Sequence, residues 1–322
     1  MTKKRFELAK IGTNIDQAAN ILKADGLVAI PTETVYGLAA NAFQEKAIIK
    51  VFTAKNRPSF DPLITHIASL DALTPLVRHI PDKAQALMNK FWPGPLTLVL
   101  PKSNHISDLI SSGLATAAFR MPRHELLQNL LRKLDFPLVA PSANPFGYVS
   151  PTSAAHVNQQ LGDKIDYILD GGASKIGIES TIIGFENEIP TILRLGGLVV
   201  EEIEQEIGKV SINSSSSSRP TAPGMLSVHY APSKKVVLGN IEELLEKHAN
   251  NKIGILSFSN KYLDYPNFVL SEEAKLDVAA MNLFTGLRWF ETKNIDLILT
   301  EKAPNIGLGK AINDRLKRAS FK

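Results

Sequence analysis

The sequence predicts an α/β protein built as two domains. Short apolar runs alternate with longer amphipathic stretches from residue 14 to about 208 and again from 235 to 319, as expected of strands that feed helices. At 322 residues the chain is long enough for roughly two hydrophobic cores. Between the two patterned regions lies the serine run Ser214-Ser215-Ser216-Ser217-Ser218, which has nothing to bury and cannot fold alone. The expected organisation is a first domain over 1–208, a linker over 209–234 and a smaller α/β domain over 235–322.

In the first domain, Ile15, Ala18, Ala19, Ile21 and Leu22 mark one face of a helix over 14–25, with Asn14 as its N-cap and Asp25-Gly26 as its stop. Leu27 to Ile30 forms a buried strand, and Pro31-Thr32-Glu33-Thr34-Val35-Tyr36-Gly37-Leu38 is expected to turn from that strand into a helix. Such loops are where sites are built, although a capped turn with Tyr36 in the core fits the same residues. A helix through Ala47 to Phe52 should end near Arg57, because Pro58 disfavours helix at the residue before it. Lys55 and Arg57 then project from a helix end and the loop beyond, where an ammonium and a planar guanidinium suit a polyphosphate. Spacing alone equally describes ordinary basic residues at a C-cap.

Strands are expected at 62–67, where His66 reads first as a structural histidine, and at 96–100 and 115–120. Arg120 closes the last of these, and an arginine at the end of a buried strand needs an anionic partner. Helices are expected over 82–91, ahead of Trp92-Pro93-Gly94-Pro95, and over 125–134. A strand at 137–140 feeds Pro141-Ser142-Ala143-Asn144-Pro145, a loop stiffened by its prolines, in which Ser142 and Asn144 repeat the spacing of Lys55 and Arg57. Thr152 or Ser153 would cap the following helix. Strands follow at 167–169, 179–183 and 191–194, the last again ending in an arginine, Arg194. Past the serines, Pro220 to Met225 and Val228-His229-Tyr230-Ala231-Pro232 carry aromatic and proline residues that a spacer would not need, so this part should dock on something. The second domain should have strands at 236–238, 253–256 and 296–300 in a parallel sheet, with helices at 241–248, 276–290 and a basic terminal helix at 310–319.

Charge and composition narrow the function. The net charge is +4 with 44% hydrophobic residues and no cysteine. A mild basic excess suits anionic small molecules or RNA, and the lack of cysteine removes disulfides, thiolate nucleophiles and cysteine zinc sites. The basic start runs into no signal core, and no apolar run approaches a membrane span, so a soluble, cytoplasmic protein with no membrane partner is expected. No P-loop, full dinucleotide fingerprint, zinc-protease motif or nucleophile elbow is present. Ile306-Gly307-Leu308-Gly309-Lys310 is half a nucleotide fingerprint and reads better as a turn. The seven histidines show no metal-ligand spacing. An enzyme made of these residues would work by positioning and charge stabilisation.

Pro31 to Leu38, Lys55-Asn56-Arg57-Pro58, Phe91 to Thr97, Pro141 to Asn144 and Glu179-Ser180-Thr181 together resemble the YrdC-like family. Ala222-Pro223-Gly224-Met225, His229-Tyr230-Ala231-Pro232 and the extra domain resemble its long, two-domain form. The resemblance covers nearly the whole chain. It implies a twisted mixed sheet in the first domain, a Rossmann-like second domain, and a nucleotidyltransferase that makes L-threonylcarbamoyl-AMP from L-threonine, bicarbonate or CO2, and ATP, for threonylcarbamoyl-adenosine in tRNA.

By the same resemblance Lys55 and Arg57 would be catalytic. ATP would meet Lys55, Arg57, Asp61, Thr116, Ser142, Asn144, Ser150, Arg194 and Tyr230, the last in a linker that serves as a lid. Threonine would meet Thr34, His66, Arg120, Ala140 and Ser180. Mg2+ is expected with ATP and no metal site of the protein's own. A downstream tRNA threonylcarbamoyl-transferase and an RNA contact are the expected macromolecular partners. Asp61 stands where the family more often has asparagine, Ile183-Gly184 where an acid is commoner, Leu195-Gly196 where proline usually follows the arginine, and Leu226 and Val228 where the linker is often basic. Carbamoyl transfer to oxygen or sulfur and a non-catalytic RNA module are the alternatives. The first usually sits in longer, zinc-finger-bearing chains, and the second lacks interleaved aromatic and basic residues here.

Overall fold

A computed structural model describes residues 8–213, 222–225 and 230–321. The serine run and residues 226–229, with the Leu226, Val228 and His229 readings, lie outside the described residues.

The first domain is built on a mixed sheet. Its strands, in chain order, are β1 (Lys10–Gly12), β2 (Val28–Ile30), β3 (Gly37–Asn41), β4 (Ile64–His66), β5 (Leu96–Pro101), β6 (Thr116–Arg120), β7 (Leu138–Val139), β8 (Tyr167–Leu169), β9 (Thr181–Glu186), β10 (Ile189–Arg194) and β11 (Ser211–Ile212). Across the sheet they run β1-β8-β2-β3-β7-β4-β6-β5-β9-β10-β11. β4 and β6 are parallel, with His66 opposite Arg120, whereas β7 runs antiparallel to both β3 and β4. The pairing brings the C-terminal ends of β4 and β6 side by side, which is how His66 and Arg120 come to share one mouth of the sheet.

Several elements fall where the pattern places them. Helix Asp82–Phe91 keeps the expected bounds, helix Ile15–Lys23 is capped by Asn14 accepting from the Gln17 amide, and helix Ala154–Leu161 is capped by Ser153. Helix Glu45–Lys55 ends on Asn56 in the left-handed region, one residue before Arg57. The segment 31–38 is a correction. It leads into strand β3 and not into a helix, because Gly37 to Asn41 are buried and pair antiparallel with β2 on one side and with β7 on the other. Small apolar residues flanked by two strands gain more from ladder hydrogen bonds than helix propensity offers.

The second domain has the parallel sheet expected of it. Strands β12 (Lys235–Leu238), β13 (Ile253–Ser257), β14 (Asn267–Val269) and β15 (Leu297–Thr300) lie in the order β12-β15-β13-β14, every pair parallel. Helices Leu276–Trp289 and Leu308–Ala319 lie between this sheet and the first domain. One continuous apolar cluster joins Val35, Val149, Ile178 and Tyr230 to Phe284, Leu287, Ile312 and Leu316. Arg288 reaches across to the Val149 and Ser150 carbonyls and to Gln160. Among the described residues, no helix is long and apolar enough to cross a membrane.

Candidate active site

Two loops at the sheet mouth are laced together before any side chain enters the site. The Leu38 amide donates to the Pro141 carbonyl and the Ala143 amide to the Tyr36 carbonyl, so the loop after β2 and the loop after β7 form one wall. Within the first loop, Thr32 Oγ1 donates to the Val35 carbonyl and receives the Thr34 and Val35 amides. This local hydroxyl turn fixes Thr34 Oγ1, which accepts from Arg120 Nη1 at 2.9 Å.

The cavity at this mouth is lined by Thr34, Arg57, His66, Arg120, Ala140, Ser142, Ser180, Arg194 and Tyr230, together with Glu179 and the Pro223-Gly224 turn of the linker. Nine of the sequence-predicted residues therefore converge on one enclosed space. Lys55, Asp61, Asn144 and Ser150 are buried outside that lining. Lys55 Nζ donates to the Ser142 and Asn144 carbonyls, so it braces the wall from behind. Asn144 donates to the Pro145 and Tyr148 carbonyls, and Ser150 Oγ donates to Glu179 Oε1 at 2.5 Å. Thr116 opens β6 and is not part of the lining. It shares the strand face of Ala118 and Arg120, and Ala118 on that face is packed with Ile64, Val99 and Ile182 against linker residues Ala222 and Met225.

Tyr230 lines the cavity with its ring stacked on Phe284 of the second domain, centroids 5.6 Å apart. It is itself held in the left-handed region at φ 65. The linker's aromatic residue thus docks on the second domain and presents itself to the site at the same time.

Cations dominate the electrostatics. Lys55, Arg57, Arg120 and Arg194 are all buried, with Asp61, Glu33 and Glu179 as their neighbouring carboxylates. Burial, and then the charge of Arg57, holds the Lys55 ammonium well below its ordinary range. Arg57 donates to the Asp61 and Pro62 carbonyls, and its Nη2 lies 2.9 Å from Asp61 Oδ2. Neither Asp61 oxygen, however, receives an aligned hydrogen bond. Arg120 Nη2 meets Glu33 Oε1 at 2.8 Å in the same unaligned way. Both ion pairs are close in distance and poor in direction, so a planar anion that could take two aligned N–H groups would displace them. Burial, reinforced by Arg120, pushes His66 down to about 3. The ring is neutral near pH 7. With Nδ1 3.3 Å from the Ile64 carbonyl, the tautomer that donates there leaves Nε2 as an acceptor.

Three groups of the site escaped the residue reading. Glu33 and Glu179 sit inside motifs that were quoted for their neighbours. Arg315 comes from the second domain, where its only signal was an arginine among Ala311, Ile312, Leu316 and Ala319, the buried stripe of the last helix.

Comparisons with known proteins agree with this geometry. The Sua5/YciO/YrdC family model, described as "Telomere recombination", matches residues 20–196, and a second, described as "Threonylcarbamoyl-AMP synthase, C-terminal domain", matches residues 198–320. A Pyrococcus abyssi protein named threonylcarbamoyl-AMP synthase is 44% identical over 318 residues, 94% of this chain and 93% of that one. A Bacillus subtilis protein of the same name is 40% identical over 328 residues, covering 98% and 95%. A crystal structure of P. abyssi Sua5 complexed with L-threonine is 42% identical, with a TM-score of 0.90 over 97% of each chain. The chain belongs to the Sua5/YciO/YrdC family, in the form that carries the additional C-terminal domain.

Proposed function

We propose that this protein joins L-threonine, bicarbonate or CO2, and ATP into L-threonylcarbamoyl-AMP and pyrophosphate. The observation that carries the reading is the convergence of Arg57, Arg120 and Arg194 on one enclosed cavity, with Lys55 bracing its wall. Such a site suits a carboxylate and a polyphosphate held together away from water.

The threonine amine adds to CO2 and loses a proton, giving a carbamate; bicarbonate does the same with loss of water. A carbamate oxygen then attacks the α-phosphorus, the bond from that phosphorus to the bridging oxygen breaks, and pyrophosphate leaves with the electron pair. No side-chain nucleophile is needed.

Arg120, already oriented by Thr34, is the natural partner of the threonine carboxylate, which would replace Glu33. A neutral His66 can accept from the threonine hydroxyl or amine, and Ala140 and Ser180 close the pocket around its short side chain. Arg57 would balance the charge that grows on the departing pyrophosphate, each charge-assisted hydrogen bond contributing about 1.5–3 kcal/mol, while Lys55 holds the Ser142–Asn144 wall in place through its two carbonyl contacts. Ser142, Arg194 and Tyr230 would line the nucleotide, with Asp61 behind Arg57, Asn144 behind the Ser142 wall and Ser150 behind Glu179 as their support. The face of β6 from Arg120 to Thr116 offers it a track that opens when Ala222 and Met225 lift.

Among the described residues no cluster of acids or histidines could hold a metal ion, and Asp61 is engaged with Arg57. Magnesium therefore fits as part of the substrate, bound by phosphate oxygens and water. The labile product calls for prompt transfer by a tRNA-modifying enzyme, and an RNA contact of this chain would show as salt-sensitive binding.

The test is pyrophosphate release with ATP and magnesium, leaving out one component at a time. Release should require both threonine and bicarbonate, and Lys55→Ala or Arg57→Ala should lower it at least about a hundredfold, the loss of two or so charge-assisted contacts. Release that ignores threonine would contradict the proposal.

A further inference from the structure

A buried carboxylate beside the cations of an anion-binding cavity is a hazard, because it can capture the cation the substrate needs. Glu179 is such a group. It lines the cavity next to Ser180, and Arg194 lies close enough for the two charges to influence each other. Yet no ion pair joins Glu179 to Arg194 among the described residues. Arg194 instead donates through Nε and Nη2 to the Ser180 carbonyl and through Nη2 to Ser180 Oγ.

What occupies Glu179 comes from the other domain. Arg315, on helix Leu308–Ala319, is completely buried and is among the largest side chains in the molecule to be so. Its Nε lies 2.9 Å from Glu179 Oε2, its Nη2 donates to the Leu195 carbonyl at 2.9 Å, and its Nη1 to Asp314 Oδ2 at 2.7 Å. Its guanidinium carbon also stands 4.7 Å from the centre of the Tyr230 ring. The other Glu179 oxygen accepts from Ser150 Oγ. Both oxygens are thus taken, one by the second domain and one by a loop of the first, and neither by Arg194. A residue whose task was only to staple two domains would not need to reach a carboxylate that lines the cavity.

We propose that Arg315 is a positioning residue of the active site: it holds Glu179 off Arg194 and so leaves Arg194 for the phosphates of ATP. The inference rests on the function proposed above. It gives the second domain a defined share in the chemistry, since the first domain alone contains Glu179 and Arg194 but not the group that separates them.

The test is ATP affinity, measured by calorimetry with L-threonine absent, in Arg315→Met, Arg315→Lys, Glu179→Gln and the Glu179→Gln/Arg315→Met double variant at pH 6 and pH 8. Glu179 faces Arg315 from the terminal helix, itself paired with Asp314, Arg194 from the end of β10, Ser150 from the loop before helix Ala154–Leu161, and Tyr230 from the linker. Without Arg315 its carboxyl is held less firmly ionised, and as pH rises it ionises and turns to Arg194. Arg315→Met should therefore weaken ATP binding about tenfold at pH 8, the loss of one charge-assisted contact, and less at pH 6. The double variant should return to within about threefold of wild type at both pH values, with no carboxylate left to restrain. Arg315→Lys should fall between.

Should Arg315→Met fail to fold, the Glu179→Gln background still decides: there, removing Arg315 should cost no further ATP affinity. Equal losses in the single and double variants, or a lowered melting temperature with unchanged ATP affinity, would overturn the proposal. A wild type that binds ATP without threonine-dependent pyrophosphate release would contradict the reaction and leave the Arg315 result readable.

Discussion

At the residue scale, His66 shows where strand pattern stops informing. By pattern it reads as a structural histidine, and only the family resemblance names it for threonine; in the fold it lines the cavity opposite Arg120 and is neutral. Its folded pKa of about 3 lies below the 6.5 of an unfolded histidine. The unfolded chain therefore binds the extra proton between those values, and the stability His66 contributes is complete above pH 6.5 and lost as pH falls toward 3. Between pH 7 and pH 5 this one group should cost about 2 kcal/mol. Denaturant titrations at the two pH values should show that difference between wild type and His66→Gln, the variant having the flatter profile. The arginine reading fared differently. A buried strand-end arginine demands an anion, and the structure supplies Glu33, the residue just before Thr34. What the sequence could not show was direction. That Glu33 and Asp61 meet their arginines without aligned hydrogen bonds depends on the set of loops no periodicity encodes.

At the element scale, legibility followed burial pattern. Helix Asp82–Phe91 was readable because it has a plain period and a firm stop, and strand β6 because its apolar run ends on Arg120 just before Pro122. Strand β3 was not, since Gly37 to Asn41 is buried on both faces and carries no alternation. Nor were β1, β11 and β14, whose two or three residues are strands only because a neighbour pairs with them. Gly177 is the element-scale feature with the sharpest consequence. It has φ +80, and a Cβ there would stand 2.3 Å from Met281 Cα and 2.6 Å from the Ala280 carbonyl oxygen, backbone of helix Leu276–Trp289 that cannot turn aside. Gly177→Ala combines left-handed strain with overpacking at the domain contact and should destabilise the protein by about 2–4 kcal/mol. An equilibrium unfolding curve with an unchanged midpoint would show that the two domains do not meet there as described.

At the scale of the whole molecule, the two domains act as one site. The first supplies the cavity, the linker supplies Pro223, Gly224 and Tyr230, and the second supplies the Phe284 face beneath Tyr230 and Arg315 beneath Glu179. The domain count and the order of motifs were legible from alternation, length and the serine run. The docking was not, because it relies on an arginine placed in the apolar stripe of a helix that reads simply as basic. A closed, cation-rich cavity shared by domains and linker suits a product that water would destroy, and this makes the product itself the right thing to observe. The measurement is mass spectrometry of the nucleotides formed from ATP, L-threonine and 13C-bicarbonate after rapid quenching. The account predicts one new nucleotide that contains AMP, threonine and a single 13C carbon. AMP and pyrophosphate with no labelled conjugate at the earliest quench times would contradict it.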